Sequence, residues 1–266
     1  MNKILSVLVV LLFFGCKEST KKVVTKEEKK NLIQDEVGHV IKPLEKVFEA
    51  HGGINLWKNH RTITFTLPKS DNPEIHTIDL RTRKEKIKTN NWTTGFNGQD
   101  IWLLDENDSY KGDPIFYHNL MFYFYSMPFV LGDKGINYAE IENLEFEGKS
   151  YPGIAISFDD GIGVSSKDEY RLYYNPKTHQ MAWLGYTVSY RSGEKSDNFN
   201  WISYNDWNEI SGLLLPNSIT WYANENGMIT EPRKTVFFED VKISKEVNSS
   251  EYYSMPENAK VVKRTK

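Results

Sequence analysis

The chain contains a single cysteine, Cys16, among its 266 residues. One thiol cannot form an intrachain disulfide or build a cysteine-rich metal site. The common catalytic motifs are missing as well, because no G-x-S-x-G elbow, phosphate-binding glycine loop, H-E-x-x-H or C-x-x-C is present. The six histidines are scattered, and no two have metal-ligand spacing on one predicted helix or strand. The enzyme classes that these motifs identify are therefore excluded, and a non-enzymatic role is favoured.

The chain also has no excess of positive charge, because it contains 33 basic and 36 acidic residues and its formal net charge is −3. Nucleic-acid-binding domains typically carry a clustered basic face, so no nucleic-acid partner is predicted. Hydrophobic residues make up 39% of the chain and charged residues 26%, which is an ordinary balance for a globular protein.

No apolar run reaches the length of about 20 residues that a membrane-spanning helix needs. The longest one, Ile4–Phe14, follows a single positive charge at Lys3 and ends at Gly15, directly before Cys16. Residues 1–15 thus have the anatomy of a secretory signal peptide. An ordinary signal peptide, or an uncleaved anchor with an incidental cysteine, would have the same pattern.

The segment resembles a bacterial lipoprotein signal peptide that is cleaved before Cys16. It departs from the usual lipobox at Phe13 and Phe14, where small or branched residues are the rule. The resemblance implies that Cys16 carries acyl chains such as palmitate, and that Lys17 permits sorting to the outer membrane. Residues 16–36 are charged and lack aromatic residues, so they are interpreted as a flexible lipidated tether.

A domain is predicted over residues 37–262, followed by a tail at 263–266. It begins with an amphipathic helix, Pro43–His51, that Gly52-Gly53 ends. Apolar and polar residues then alternate, as in half-buried strands, and turns such as Asn97-Gly98 connect them. The predicted strands are Thr62–Leu67, Ile75–Leu80, Lys84–Lys88, Trp92–Phe96, Asp100–Leu104, Ile141–Phe146, Tyr151–Phe158, Glu169–Tyr174, Met181–Tyr190, Phe199–Tyr204, Ser218–Tyr222 and Thr235–Ile243. This succession indicates an antiparallel meander, either closed into a barrel or open and strongly curved.

The most aromatic stretch of the mature chain is Asp113–Leu131. Asp113 can cap a helix and Pro114 suits its first position, while Pro128 should stop or kink it. A helix that is apolar on most sides must be enclosed. The stretch is therefore predicted to be a helical insert covered by the sheet.

This layout resembles the LolA/LolB-type lipoprotein-carrier fold, an incomplete antiparallel barrel whose mouth is covered by an N-terminal helix and by inserted helices. Short phrases in this chain match that family: Leu172–Thr178, Gly212–Pro216, Phe238–Ile243 and Tyr253–Pro256. The predicted fold class is accordingly mainly β with an α insert (α+β), a curved half-barrel under a short helical lid.

A closer resemblance is to uncharacterised outer-membrane lipoproteins of the Bacteroidota type that carry a domain of unknown function. His51-Gly52-Gly53 with Trp57, His118-Asn119-Leu120 and Met127-Pro128-Phe129 carry this likeness. No reaction is implied by that family.

Two interpretations of the aromatic residues stay open. A tightly filled barrel would make them ordinary core, whereas a half-barrel with a lid would make them line an apolar cavity suited to acyl chains. Under the second interpretation the cavity candidates are Phe65, Trp102, Tyr117, His118, Met121, Phe124, Phe129 and Trp183. A histidine in an apolar pocket could orient a ligand headgroup.

The best polar cluster is an acidic, glycine-containing segment with Asp159, Asp160 and Asp168. Carboxylate oxygens suit Ca²⁺, although the spacing is not that of an EF-hand and such a loop is commonly a solvated turn. A weak Ca²⁺ site is the only cofactor prediction.

Three functional hypotheses follow. The favoured one is a lipid-anchored protein of the outer membrane that binds or carries a lipid, an acyl chain or another apolar ligand without catalysing a reaction. The second is a structural lipoprotein that joins an envelope protein complex and has a filled core. The third is a metal-dependent hydrolase that uses the acidic segment and His118.

Overall fold

The structure is a computed structural model and describes residues 40–159 and 167–264. The predicted signal peptide, the tether with Cys16, and Asp160 lie outside these residues. The strands, in chain order, are β1 (Thr62–Leu67), β2 (Glu74–Asp79), β3 (Glu85–Lys88), β4 (Thr93–Phe96), β5 (Ile101–Leu104), β6 (Ile136–Phe146), β7 (Lys149–Phe158), β8 (Tyr170–Tyr174), β9 (Met181–Tyr186), β10 (Asn200–Ile210), β11 (Leu213–Glu225), β12 (Met228–Phe237), β13 (Glu239–Ser244) and β14 (Lys260–Val261).

The helices are short. Before β1 come α1 (Lys42–Ala50) and α2 (Ile54–Lys58). Between β5 and β6 comes the insert, residues 113–132, which holds α3 (Pro114–Tyr117), α4 (Leu120–Tyr125) and a 3-10 helix (Phe129–Gly132). A second 3-10 helix, Ser250–Tyr253, precedes β14.

The strands form two antiparallel sheets. The first sheet has the order β13-β1-β2-β3-β4-β5-β14, and the second runs β12-β11-β10-β9-β8-β7-β6. The two are not joined into a closed barrel, so of the two sequence alternatives the open one is found. The prediction of a mainly β, antiparallel fold with a helical insert is confirmed.

One hydrophobic core joins both sheets to the helices. Helix α1 has a proline in its first turn, which needs no N–H there, and Leu44, Val47 and Phe48 form its buried face. Phe65 of β1, Phe122 of the insert and other residues from both sheets continue the same core. Both sheets therefore bury one face against the insert.

The helix predicted from Pro114 to Pro128 is interrupted in the structure, whereas the separate short turn expected after Pro128 is found as the 3-10 helix. The helix breaks between α3 and α4 at Asn119, which has a left-handed φ of 56°. Asn119 donates its backbone N–H to Glu85 Oε2 (2.9 Å) and its side-chain amide to the carbonyl of Arg83 (3.1 Å). These bonds to the first sheet replace the helical hydrogen bonds that the break removes.

The single strand predicted at Thr235–Ile243 is also wrong. The chain leaves the second sheet after β12 and enters the first sheet as β13, so the segment is two strands. Phe238 lies between them and is 3% exposed. The residues on both sides of Phe238 are compatible with a strand, so periodicity does not show that the chain changes sheets there.

Candidate functional site

A cavity of about 770 Å³ lies between the insert, the end of β1 and the inner face of the second sheet. This volume is within the range of small-molecule sites. Most of its lining is apolar or aromatic, and the main residues are Leu67, Pro68, Phe116, Tyr117, Leu120, Met121, Tyr123, Phe124, Met127, Val130, Leu131, Ile136, Phe158, Tyr170, Tyr186, Val188, Trp221, Val236 and Phe237.

The lining also carries polar groups, including His118, Thr187 and Thr235, and two of its polar residues are paired with each other. Trp221 donates its indole N–H to the hydroxyl of Tyr186 at 3.0 Å, and burial raises the pKa of Tyr186. Phe124 packs against both rings, with centroid distances of 5.0 and 5.6 Å. A wall of this kind suits an apolar group much better than a charged one.

Hydrogen bonds fix the insert on the second sheet. The buried hydroxyl of Tyr204 on β10 donates to the carbonyl of Phe124 at 2.9 Å. At the insert's start, Asp113 accepts hydrogen bonds from the N–H groups of Ile115 (2.9 Å) and Phe116 (3.3 Å), which confirms its predicted capping role. The insert is thus bound to the second sheet at Phe124, and its first helix is capped by Asp113.

Two buried carboxylates of the first sheet hold the other side of the insert. Glu74 Oε2 accepts a hydrogen bond from the Tyr117 hydroxyl at 2.6 Å. Glu85 Oε2 lies 3.0 Å from His118 Nδ1, besides its bond from Asn119. Because the Asn119 amide reaches His118 Nε2 at 3.0 Å, that nitrogen is the acceptor and Nδ1 donates to Glu85.

His76 lies between the same two carboxylates and is 1% exposed. Its Nε2 is 3.4 Å from Glu74 Oε2, and its Nδ1 is 3.9 Å from Glu85 Oε1. Lys69 also pairs with Glu74. The Glu74–His76–Glu85 cluster therefore compensates charges that would be costly to bury alone.

The pKa values in this cluster follow from the balance of burial and hydrogen bonding. Burial would raise the pKa of Glu74, but hydrogen bonds from His76, Lys69 and Tyr117 outweigh it and lower the pKa to about 2. Burial would lower the pKa of His76, yet the two flanking carboxylates raise it above its usual value. Burial would likewise raise the pKa of Glu85, but the hydrogen bond from His118 and the nearby His76 ring lower it. The favoured state is an imidazolium between two carboxylates.

Charged residues also line part of the cavity, and this part is called its mouth. The mouth residues are Lys69, Asp133, Asp168, Arg233 and Lys234. Asp133 pairs with Arg83, and Lys69 with Glu74. Arg233 and Lys234 are exposed residues of the edge strand β12.

Among the predicted cavity residues, Tyr117, His118, Met121 and Phe124 line the cavity. All four belong to the insert, whose aromatic composition is the signal that singled it out. Their contact with a ligand stays a prediction.

The other four candidates lie in packed regions away from the cavity. Phe65 stacks on His76 with a centroid distance of 4.8 Å, and Phe129 stacks on Trp57 at 4.9 Å. The fully buried Trp102 donates its indole N–H to the carbonyl of Tyr253 at 3.1 Å. These three are core residues because neighbouring aromatic rings or backbone already fill the space around them.

Trp183 lies on the outer face of the second sheet, against Phe146 and Tyr222. An irregularity in the β8–β9 pairing puts Tyr174 opposite Met181 and Tyr173 opposite Trp183. Met181 therefore enters the core, while Trp183 points outward. Simple alternation would have put the two residues on the same face.

The acidic candidates are engaged in local hydrogen bonds. Asp159 accepts one from the side-chain amide of Asn137 at 2.8 Å. Asp168 Oδ1 accepts two from Ser189, one from its N–H (2.7 Å) and one from its hydroxyl (2.6 Å). Over 40–159 and 167–264 no group of three or more His, Cys, Asp or Glu residues could hold a metal ion. The Ca²⁺ site, which includes Asp160, stays a prediction.

The sequence analysis missed the Glu74–His76–Glu85 cluster and the two charged residues of β12 that line the cavity, Arg233 and Lys234. Glu74 and His76 are two residues apart and so share one face of a strand, which was a usable signal. Glu85 joins them only through the register, which places it opposite Ile78 on the neighbouring strand. Lys234 depends in the same way on its pairing with Trp221.

No helix within the described parts of the chain is long and apolar enough to cross a membrane.

Several solved structures are similar to this chain. A LolA superfamily protein from Nitrosomonas europaea is 10% identical, with a TM-score of 0.46 over 80% of this chain and 96% of that chain. A DUF1329 family protein from Desulfovibrio piger is 10% identical, with a TM-score of 0.47 over 80% and 98%. A putative outer membrane lipoprotein-sorting protein domain from Vibrio parahaemolyticus is 7% identical, with a TM-score of 0.40 over 77% and 96%.

No curated protein matches the sequence. Residues 95–230, about half of the chain, match the Family of unknown function (DUF6503). The matched region runs from the end of β4 through the insert and most of the second sheet, and so includes most of the cavity wall. The protein belongs to this family.

Proposed function

We propose that this protein binds a lipid, an acyl chain or a similar apolar molecule in the cavity under the insert, without covalent chemistry. The carrying observation is the volume of about 770 Å³ with a mainly apolar lining. Each buried CH₂ group of a ligand would contribute roughly 0.8 kcal/mol. An accessory lipoprotein with a filled core, the second hypothesis, would need no such space.

We further propose that binding takes place at an envelope membrane to which Cys16 anchors the chain. This part of the proposal derives from the resemblance of residues 1–16 to a lipoprotein signal peptide. More than one acyl chain on the cysteine would make the anchoring stable. The ligand would then be drawn from, or delivered to, the same lipid surface.

The test is the binding of an apolar fluorescent probe to the full chain carrying Cys16→Ser, purified without detergent. Saturable binding of about one probe per chain is expected. Met121 lines the cavity and is 7% exposed, so a tryptophan at this position would occupy space that the ligand needs. Met121→Trp should therefore weaken binding at least about tenfold.

Met228→Trp is the matched control. Met228 is 66% exposed on β12 and does not line the cavity, so its replacement should leave binding unchanged. Organic extraction of the purified protein, followed by lipid mass spectrometry, would identify a co-purifying ligand. Absence of saturable binding, or equal losses in the two variants, would contradict the proposal.

A further inference from the structure

Polarity changes along the cavity from its buried wall to its mouth. The wall residues Met121, Phe124 and Leu131 are at most 7% exposed. At the mouth, Val188 and Phe237 are exposed apolar residues beside the charged ones. A ligand that matches this gradient has an apolar body and one polar end.

Lys234 is placed to meet that polar end. It pairs with Trp221, and Val236 pairs with Ile219, in the β11–β12 register. Trp221 and Val236 both pack on the core. Since residues of one strand alternate between faces, Lys234 shares the inner face with them, at the open edge of the sheet.

The positive charges of Arg233 and Lys234 are not compensated. Neither has an ion pair with any residue that the structure describes, whereas the mouth residues Lys69 and Asp133 pair with Glu74 and Arg83. The remaining charge, Asp168, is negative and is already held by Ser189. The cavity lining therefore holds two cations without an ion pair to any described residue and one carboxylate that is already hydrogen-bonded.

We propose that the ligand is a single-chain amphiphile with an anionic headgroup, a carboxylate or a phosphate, and that Lys234 binds this headgroup with support from Arg233. The inference depends on the proposed function, because the alkyl chain would fill the same cavity. Charge-assisted contacts of lysine and arginine with carboxylate or phosphate supply the selectivity. Asp168 opposes the headgroup and limits the affinity.

The test compares ligands of equal chain length on the full chain carrying Cys16→Ser: palmitic acid, hexadecyl phosphate and the neutral hexadecanol. The protein with no change at the mouth should bind at least one of the two anions about tenfold more tightly than hexadecanol at low salt. The anion with the larger preference identifies the headgroup source, and added salt should reduce the preference.

Lys234→Gln should remove most of this preference while leaving hexadecanol affinity unchanged. Asp168→Asn should strengthen binding of the anions alone, since an amide oxygen can still accept the bonds from Ser189. Lys242→Gln, at an exposed position of β13 outside the cavity lining, is the matched control and should change nothing.

The outcomes separate the two proposals. Equal affinity for acid, phosphate and alcohol, or a loss in Lys234→Gln that is the same for all three, would overturn the headgroup assignment and leave the apolar site standing. If none of the three ligands binds saturably, both proposals fail.

Discussion

His51 illustrates at the scale of one residue how burial fixes a charge state. Its side chain is completely buried, with Nδ1 3.2 Å from the carbonyl of Leu214 and Nε2 accepting the N–H of Met181 at 3.0 Å. Burial lowers its pKa to about 4, although the hydrogen bond to Leu214 acts in the opposite direction. A neutral ring with its proton on Nδ1 satisfies both partners.

Protonation of His51 should therefore destabilise the fold in mild acid. The unfolded chain binds a proton near the ordinary pKa of 6.5, and the folded chain only near 4. Stability falls as the pH is lowered through this window, by about 3 kcal/mol at about 1.4 kcal/mol per pH unit. Urea unfolding from pH 7 to pH 4 measures it as the difference between the wild type and His51→Asn, which lacks this titration.

His179→Asn is the control for that measurement, because His179 has a left-handed φ of 59° that asparagine tolerates. Its stability should follow the wild type across the window. A wild-type curve parallel to that of His51→Asn would contradict the assignment.

Residue-level roles were predictable where a local rule sets them. Asp113 caps α3 as its position before Pro114 indicates, and four aromatic-insert candidates do line the cavity. Phe65 and Trp102 were not predictable, because strand alternation does not tell which part of a long inner face is filled. Phe129 was not predictable because its stacking on Trp57 is a contact between segments distant in sequence. A single β-bulge reverses the side of Trp183.

At the scale of one element, the insert depends on charges in a sheet distant in sequence. Glu85, 1% exposed, binds both His118 and the backbone of Asn119. Glu85→Gln should destabilise the protein by about 3 kcal/mol, since it leaves the His76 imidazolium with one carboxylate. Chemical denaturation measures the loss, and Glu142→Gln, at an exposed position of β6, should cost little.

The same variant should lower the pKa of His76, which the flanking carboxylates raise. With its raised pKa, His76 contributes stability that is fully present below pH 6.5 and is lost as the pH rises through its folded pKa. As the pH rises from 6.5 through the folded pKa of His76, the wild type should thus lose more stability than Glu85→Gln. An unchanged NMR titration of His76 in the variant would contradict this coupling.

Elements were predictable in kind but not always in extent. Period-two alternation located β1 to β5 to within one residue at each end. The break at Asn119 was hidden because its cause, Glu85, lies in another strand. The division at Phe238 was hidden because both halves of Thr235–Ile243 have strand composition.

At the scale of the whole molecule, the first sheet takes both of its edge strands from the end of the chain. β13 covers β1 and β14 covers β5. A chain ending at Phe237 should therefore expose two open edges and lose the core residue Phe238. Most of the roughly 5–15 kcal/mol of stability typical of a domain should be lost, and the chains should associate through the open edges.

Light scattering with size-exclusion chromatography measures that association. A chain ending at Pro256 keeps β13 and the 3-10 helix with Tyr253, and should stay much closer to the full chain. A stable monomer ending at Phe237 would contradict the assigned role of the edges.

The origin of these edge strands also bears on how the protein reaches its native state. All neighbours in the second sheet are consecutive in sequence, so each hairpin can form locally. The first sheet is completed only when Thr62 meets Ser244 and Trp102 meets Val261. Closing such long loops costs chain entropy before any contact is gained, which slows folding. We therefore expect the second sheet to acquire hydrogen-exchange protection early, and the margins of the first sheet to acquire it last.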